Sequence, residues 1–228
     1  TRGGRDHVRA GAGAGVGRTY VTAARSRRVG EEGGSVLARR PLASGIPPIG
    51  DPAFAESDTA ILLAAQGLPV AEETVEACSP WRFVAPLAPD QAAAREGRTL
   101  HLDDLVAWCE QHLSSLSHPH PEVPRSGLEG GLQKPPRSLE PSFEARLRLA
   151  PQDEDEGERM VLIEGVGGLM SPITADATGL DWLKRLRLPA LLVTGSYLGA
   201  ISHALTAIET LRAHGVPLVA VVVSESEG

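Results

Sequence analysis

Met160-Val161-Leu162-Ile163, Ala190-Leu191-Leu192-Val193 and Leu218-Val219-Ala220-Val221-Val222-Val223 are three apolar runs without a charged interruption, all within residues 160–223. Such short runs, bounded by glycines and polar side chains, read as strands buried on both faces. A helical stretch at 179–186 separates the first two. A second at 201–213, amphipathic and closed by Gly215, separates the last two. Strand–helix–strand–helix–strand with fully apolar strands dictates a mostly parallel sheet, helices on both faces and right-handed crossovers. The predicted fold class is therefore a three-layer α/β sandwich. The sequence stops at Gly228, just past the third run and with no helix to cover it, which reads as a truncated C-terminus.

Working outward, the pattern weakens. Between 117 and 158, prolines, glycines and an acid-rich run at 153–158 replace any periodicity. This reads as a surface loop insertion, with room for a local helix around 143–149. Residues 102–116 carry apolar side chains at 102, 105, 106, 109 and 113, a helical spacing. Shorter helices are predicted at 58–67, capped by Ser57 or Asp58, and at 91–96, with a helical or extended piece at 72–78 and a short strand at 35–38. The first 35 residues are poorly patterned. Only Val8 and Ala10, split by Arg9, suggest a strand, and the helix expected after Thr19 lacks an apolar face. Residues 1–228 are read as one domain.

The totals set the class. The chain has 228 residues, 42% hydrophobic and only 4% aromatic, so its core rests on Leu, Val, Ala and Ile. No apolar run approaches the ~18 residues of a membrane span. The N-terminus has no apolar segment of a secretory signal, and a cytoplasmic protein is expected. Cys78 and Cys109 lack metal-ligand spacing and read as reduced, buried thiols. The net charge of −7 conceals nine arginines in the first forty residues against Asp6, Glu31 and Glu32. No aromatic platform or nucleic-acid motif accompanies this basic arm, so no nucleic-acid partner is expected.

In an open parallel sheet, ligands bind at the carboxyl ends of the strands. Four polar clusters fall there: Gly11-Ala12-Gly13-Ala14-Gly15-Val16-Gly17-Arg18-Thr19, residues 40–44, Glu164 and Thr194-Gly195. The glycine stretch has the spacing of a phosphate-binding loop, whose backbone N–H groups cradle phosphate oxygens before a helix N-terminus. Taken alone it reads equally as a flexible tail. Thr19 is placed to bind Mg²⁺ through its hydroxyl, and Arg18 to touch the β- and γ-phosphates. Glu164 ends a buried strand before glycines that allow close approach, a natural place for a carboxylate ligand of a hard cation, or else for a helix N-cap or a solvated strand end. Asp58 offers a second carboxylate or a simple helix cap.

Several stretches together resemble the dethiobiotin synthetase family. Gly15-Val16-Gly17-Arg18-Thr19 resembles its V-G-K-T loop, and Arg40-Pro41-Leu42-Ala43-Ser44-Gly45 its K-P-V-A-S-G. Ser57-Asp58-Thr59-Ala60, Ser79-Pro80-Trp81-Arg82-Phe83 and Ala85-Pro86-Leu87-Ala88-Pro89 resemble its middle region. Glu164-Gly165-Val166-Gly167-Gly168 resembles E-G-A-G-G, and Leu198-Gly199-Ala200-Ile201-Ser202-His203-Ala204 resembles L-G-x-x-N-H-A. The match covers residues 11–116 and 158–227. It implies a P-loop NTPase-like fold, a homodimer, and an ATP- and Mg²⁺-dependent ligase of biotin biosynthesis acting on 7,8-diaminopelargonic acid and CO₂. Residue by residue it implies that Gly15, Val16, Gly17, Arg18, Thr19, Tyr20, Asp58, Glu164, Gly165, Val166, Gly167 and Ser224 meet ATP. Thr19, Asp58 and Glu164 would meet the metal, Ser44 the diamino acid, and Arg18 and Arg40 would be catalytic. Ser224 stands where the family often has an adenine-reading asparagine.

The departures are specific. Arg18 and Arg40 stand where the family has lysines, and a planar fork does not replace a compact point charge. Impaired turnover is predicted. Ala12-Gly13-Ala14 replaces T-D-T. An alternative reading is a catalytically inactive homologue that binds or regulates. A ligase of the cobyrinic acid amidation type would need a glutaminase domain, for which neither the length nor a Cys/His pair is evident.

Overall fold

The computed structural model describes residues 7–13, 17–114 and 159–225, with the backbone alone for 7–13 and for Arg159. The predicted insertion at 117–158, its helix around 143–149, and Gly15 and Val16 of the glycine loop lie outside the described residues. Five parallel strands form one sheet in the order β2–β5–β1–β6–β7. They are β1 (His7–Gly13), β2 (Ser35–Arg39), β5 (Arg159–Glu164), β6 (Ala190–Gly195) and β7 (Leu218–Ser224). A separate parallel pair joins β3 (Leu42–Ser44) to β4 (Trp81–Phe83).

Alternation along β5 shows why its apolar run is unbroken. Met160 and Leu162 pack on one side with Ala23 and Val29 of α1 (Arg18–Glu31), Leu62 and Leu63 of α2 (Asp58–Ala65), and Val75 and Cys78 of α3 (Glu72–Cys78). Val161 and Ile163 pack on the other with Ala92 of α4 (Pro89–Arg95), Leu105 and Cys109 of α5 (Leu102–Ser114) and Trp182 of α6 (Gly179–Leu186). Leu192 of β6 meets Ala207 and Leu211 of α7 (Ala200–Ala213) in a third apolar cluster. Helices thus lie on both faces of the sheet, and the α/β three-layer sandwich read from residues 160–223 is the fold. β7, expected to be buried on both faces, instead alternates, with Val219, Val221 and Val223 exposed because no described element packs over that side of it. Among the described residues no helix is long and apolar enough to cross a membrane.

The poorly patterned N-terminal segment supplies the central strand and its helix. β1 lies between β5 and β6, with Arg9 opposite Leu162 and Gly11 opposite both Glu164 and Leu191. Ala10, Gly11, Ala12 and Gly13 carry almost no hydrophobic signal, yet all four pair with β6, and Ala10 and Gly11 pair with β5 as well. In α1 the buried residues are Thr19, Ala23, Ser26 and Val29. Their spacing is helical, but the stripe is written in small and polar side chains, with the Ser26 hydroxyl donating to the Thr22 carbonyl at 2.8 Å. The piece at 72–78 is a helix, and its Cys78 thiol is free and buried, as is that of Cys109. Burial pushes the Cys78 thiol up and Cys109 to about 12, so neither is a reactive thiolate.

The undersized face of α1 leaves a cavity of about 130 Å³ against the sheet, lined by Val21, Thr22, Arg25, Leu162, Ile163, Leu191 and Val222. Filling it with apolar volume should stabilise the fold. Thr22→Leu is expected to add about 1 kcal/mol, a rise of a few degrees in Tm by differential scanning calorimetry. A lowered Tm would mean that the space is not available to a side chain at this position.

Candidate functional site

Strand order places the chemistry. β2 pairs with β5 so that Arg39 lies opposite Ile163, which sets Arg40, the next residue, beside Glu164. β1 flanks Glu164 on its other side and leads through the glycine loop into α1. Gly17, at the N-cap of α1, has φ of 100°, and a Cβ there would overlap the Ser224 side chain at the end of β7. Only glycine satisfies both demands.

Glu164 is the centre. It is 1% exposed. The Thr19 hydroxyl donates to its Oε1 at 2.7 Å. Arg40 Nη1 donates to the same Oε1, and lies 3.3 Å from Thr19 Oγ1. The other arm of the guanidinium, Nη2, pairs with Asp58 Oδ2 at 2.8 Å. Asp58 opens α2 just past its N-cap, where the Ser57 hydroxyl accepts from the Ala60 N–H at 3.2 Å. Sequence therefore fixes Asp58 at a helix start, in the site, rather than as the cap itself. Glu164 Oε2 is buried and has no hydrogen-bond partner among the described residues.

Arg18 reaches across the same space and donates from Nη1 to the Gly167 carbonyl. Burial and the neighbouring Arg40 guanidinium push Arg18 below its ordinary value, against the opposing pull of Glu164 and Asp58. An arginine stays protonated nonetheless. Gly167 has φ of 62°, and the space a Cβ would fill there is taken by Ser171. The Ser171 hydroxyl in turn accepts from the Gly168 N–H at 2.7 Å. Sequence reading passed over Ser171, although a hydroxyl residue before Pro172 and after a run of glycines is a usable sign of such a brace.

The remaining predicted residues are spread around this cluster. Tyr20 is 67% exposed on the first turn of α1, and Val166 is buried behind the loop that begins at Gly165. Ser44 is half-buried at the end of β3, and its hydroxyl makes no hydrogen bond among the described residues. Thr194, one of the polar residues expected at the strand ends, is buried near the end of β6, its hydroxyl without a partner among the described residues. One further group was not anticipated: Arg39 is buried and, among the described residues, donates only to the Ala38 carbonyl, at 3.3 Å, with no carboxylate against it.

Two carboxylates and a hydroxyl, with one buried carboxylate oxygen uncommitted, form a hard oxygen donor set. No group of three or more His, Cys, Asp or Glu among the described residues is arranged to hold a metal. The set suits an ion that keeps water and phosphate ligands, as Mg²⁺ does, rather than one needing a protein cage. Until then the Arg40 guanidinium is the counter-charge of a carboxylate that water does not reach. Arg40→Met is expected to destabilise the protein by about 3 kcal/mol in urea denaturation at pH 7, and Glu164→Gln in the same chain to restore part of that loss. Additive effects of the two changes would show that the pair is not coupled.

Comparison with known proteins agrees with the geometry. The profile of a family described as an AAA domain matches residues 143–228. The chain is 56% identical over 219 residues to the ATP-dependent dethiobiotin synthetase BioD of Methylobacterium nodulans, covering 96% of this chain and 80% of that protein. It is 41% identical to the protein of the same name from Caulobacter vibrioides, covering 95% and 78%. For that of Acidiphilium cryptum the identity is 36%, covering 93% and 76%. Identity at this level over nearly the whole chain, on an α/β sheet whose strand ends gather Thr19, Arg40, Asp58 and Glu164, places the chain in the dethiobiotin synthetase family.

Proposed function

We propose that this protein is an ATP-dependent dethiobiotin synthetase of the cytoplasm, working as a homodimer on 7,8-diaminopelargonic acid, CO₂ and ATP. The observation that carries the reading is the buried Glu164 joined directly to Thr19 and Arg40, and through Arg40 to Asp58, at the start of α1. One amine of the diamino acid takes up CO₂ and loses a proton, giving a carbamate. A carbamate oxygen attacks the γ-phosphorus and ADP departs. The second amine then attacks the activated carbonyl, closing the ureido ring and expelling phosphate. Little covalent chemistry falls to the protein, whose work is positioning and charge stabilisation.

Thr19, Asp58 and Glu164 would hold Mg²⁺. The ion, when bound, offsets charge on the phosphates. Gly15 and Val16 belong to the phosphate loop by the resemblance, and the N–H groups of Gly17 and the first turn of α1, through Tyr20, would offer the phosphates the positive end of a 14-residue helix. Arg18 and Arg40 supply the cations at the transferring group. Ser44 orients the diamino acid. Gly165, Val166 and Gly167 shape the far wall, and Ser224 lies towards the base. The reading of both arginines as weaker substitutes for lysine is supported by geometry. Each guanidinium is committed to protein acceptors, Arg18 to Gly167 and Arg40 to two carboxylates.

An ADP-release assay tests the proposal. ADP should form only when the diamino acid, bicarbonate, Mg²⁺ and ATP are all present, and Glu164→Gln should lower the rate at least a hundredfold. Arg18→Lys with Arg40→Lys should raise it. Nucleotide binding with no release dependent on the diamino acid would favour instead the reading as an inactive binding or regulatory homologue.

A further inference from the structure

The Arg40 guanidinium spans the two carboxylates that would hold the cation, and it does so with different nitrogens. Nη1 donates to Glu164, whose side chain is 0% exposed, and Nη2 pairs at 2.8 Å with Asp58, which is 41% exposed. Arg40 itself is buried to within 7% at its side chain. A buried carboxylate is strongly penalised without a partner, and in the ligand-free protein this contact supplies one to Glu164. A planar fork can reach two carboxylates at once, and the charge of a lysine sits at one point. A divalent cation drawn to Glu164 and Asp58 meets a positive group already seated between them, with Arg18 adjacent as a second.

We infer that Arg40 is a built-in counter-cation that keeps free divalent metal out of the site and yields it only when phosphate oxygens offer the guanidinium another partner. This rests on the reading of Thr19, Asp58 and Glu164 as the cation ligands. The consequence is a positive coupling between nucleotide and metal, reciprocal by linkage. Each removes a cost that the other would otherwise meet, the metal by neutralising Glu164 and the phosphates by engaging Arg40. Arg40 thus acts as a positioning residue for the metal, and the enzyme takes metal and nucleotide together.

Mn²⁺ binding, followed by electron paramagnetic resonance on the full chain with and without the β,γ-imido analogue of ATP, tests this. The wild type should bind free Mn²⁺ only in the millimolar range, and Arg40→Met at least tenfold more tightly. The analogue should tighten Mn²⁺ binding to the wild type by a factor at least ten times larger than in Arg40→Met. Arg40→Lys retains a charge against Glu164 and guards against loss of folding in the methionine variant. It should bind free Mn²⁺ at least threefold more tightly than the wild type. Equal affinity for free Mn²⁺ in the wild type and in whichever variants fold would overturn the inference while leaving the cation site intact. No binding by any of the proteins, with the analogue present, would remove the cation site and the inference with it.

Discussion

One buried carboxylate organises this protein. Glu164 ends β5, the strand that packs against apolar clusters on both faces of the sheet, and so it is held where water cannot reach it. Its charge is met by a hydroxyl from α1 and a guanidinium that follows β2. The two strands that flank β5 therefore each deliver a partner, β1 by way of α1 and β2 directly. Through Arg40 the same contact extends to the start of α2. Removing the carboxylate would loosen the mutual placement of three chain segments, and removing its partners would leave a charge that the apolar surroundings strongly disfavour.

The apolar framework makes this arrangement rigid where it must be and thin where small residues are needed. β1 runs through the middle of the sheet with alanine and glycine over residues 10–13. Beside it, a space remains between α1 and the sheet under Thr22. Gly17 continues the same logic, since its missing side chain is where Ser224 fits. The site is thus built by omission as well as by placement, with Ser171 filling the corresponding space at Gly167.

How much of this was legible in the sequence follows from what each element uses to hold itself. β5 and β6 are buried by their own side chains, so their apolar runs announced them, and β7 was found by the same pattern although Val219, Val221 and Val223 are exposed. Helix α2 declared itself by Ser57 and α7 by Gly215. β1 is held by hydrogen bonds from two neighbours, and no hydropathy pattern records a ladder. The stripe of α1 was hidden because threonine and serine stand among its buried positions. β3 and β4 are three residues each, paired across almost forty positions, and nothing local marks such a pair. At the site, residue types and spacing named the carboxylates, the hydroxyl and the two cations. That one guanidinium joins both carboxylates depends on the register of β2 against β5, which only the assembled sheet supplies. Thr194 was marked by its place at the end of an apolar run, whereas Arg39 left no readable sign, since a buried arginine without a carboxylate among the described residues looks in sequence like any surface one.

The order of the strands also bears on how the sheet comes into being. β5 lies between β1 and β2, with His7 opposite Met160 and Ser35 opposite Arg159. β1 and β2, both synthesised before β5, therefore cannot zip to each other in the native register. They must wait, one as the future centre of the sheet and one as its edge, until a strand made much later slides between them and closes a long loop on each side. Such non-local pairing slows folding. During synthesis the nascent chain carries two unpaired strands, and the residue that arrives last in the late strand, Glu164, is the one whose burial depends on both being correctly placed.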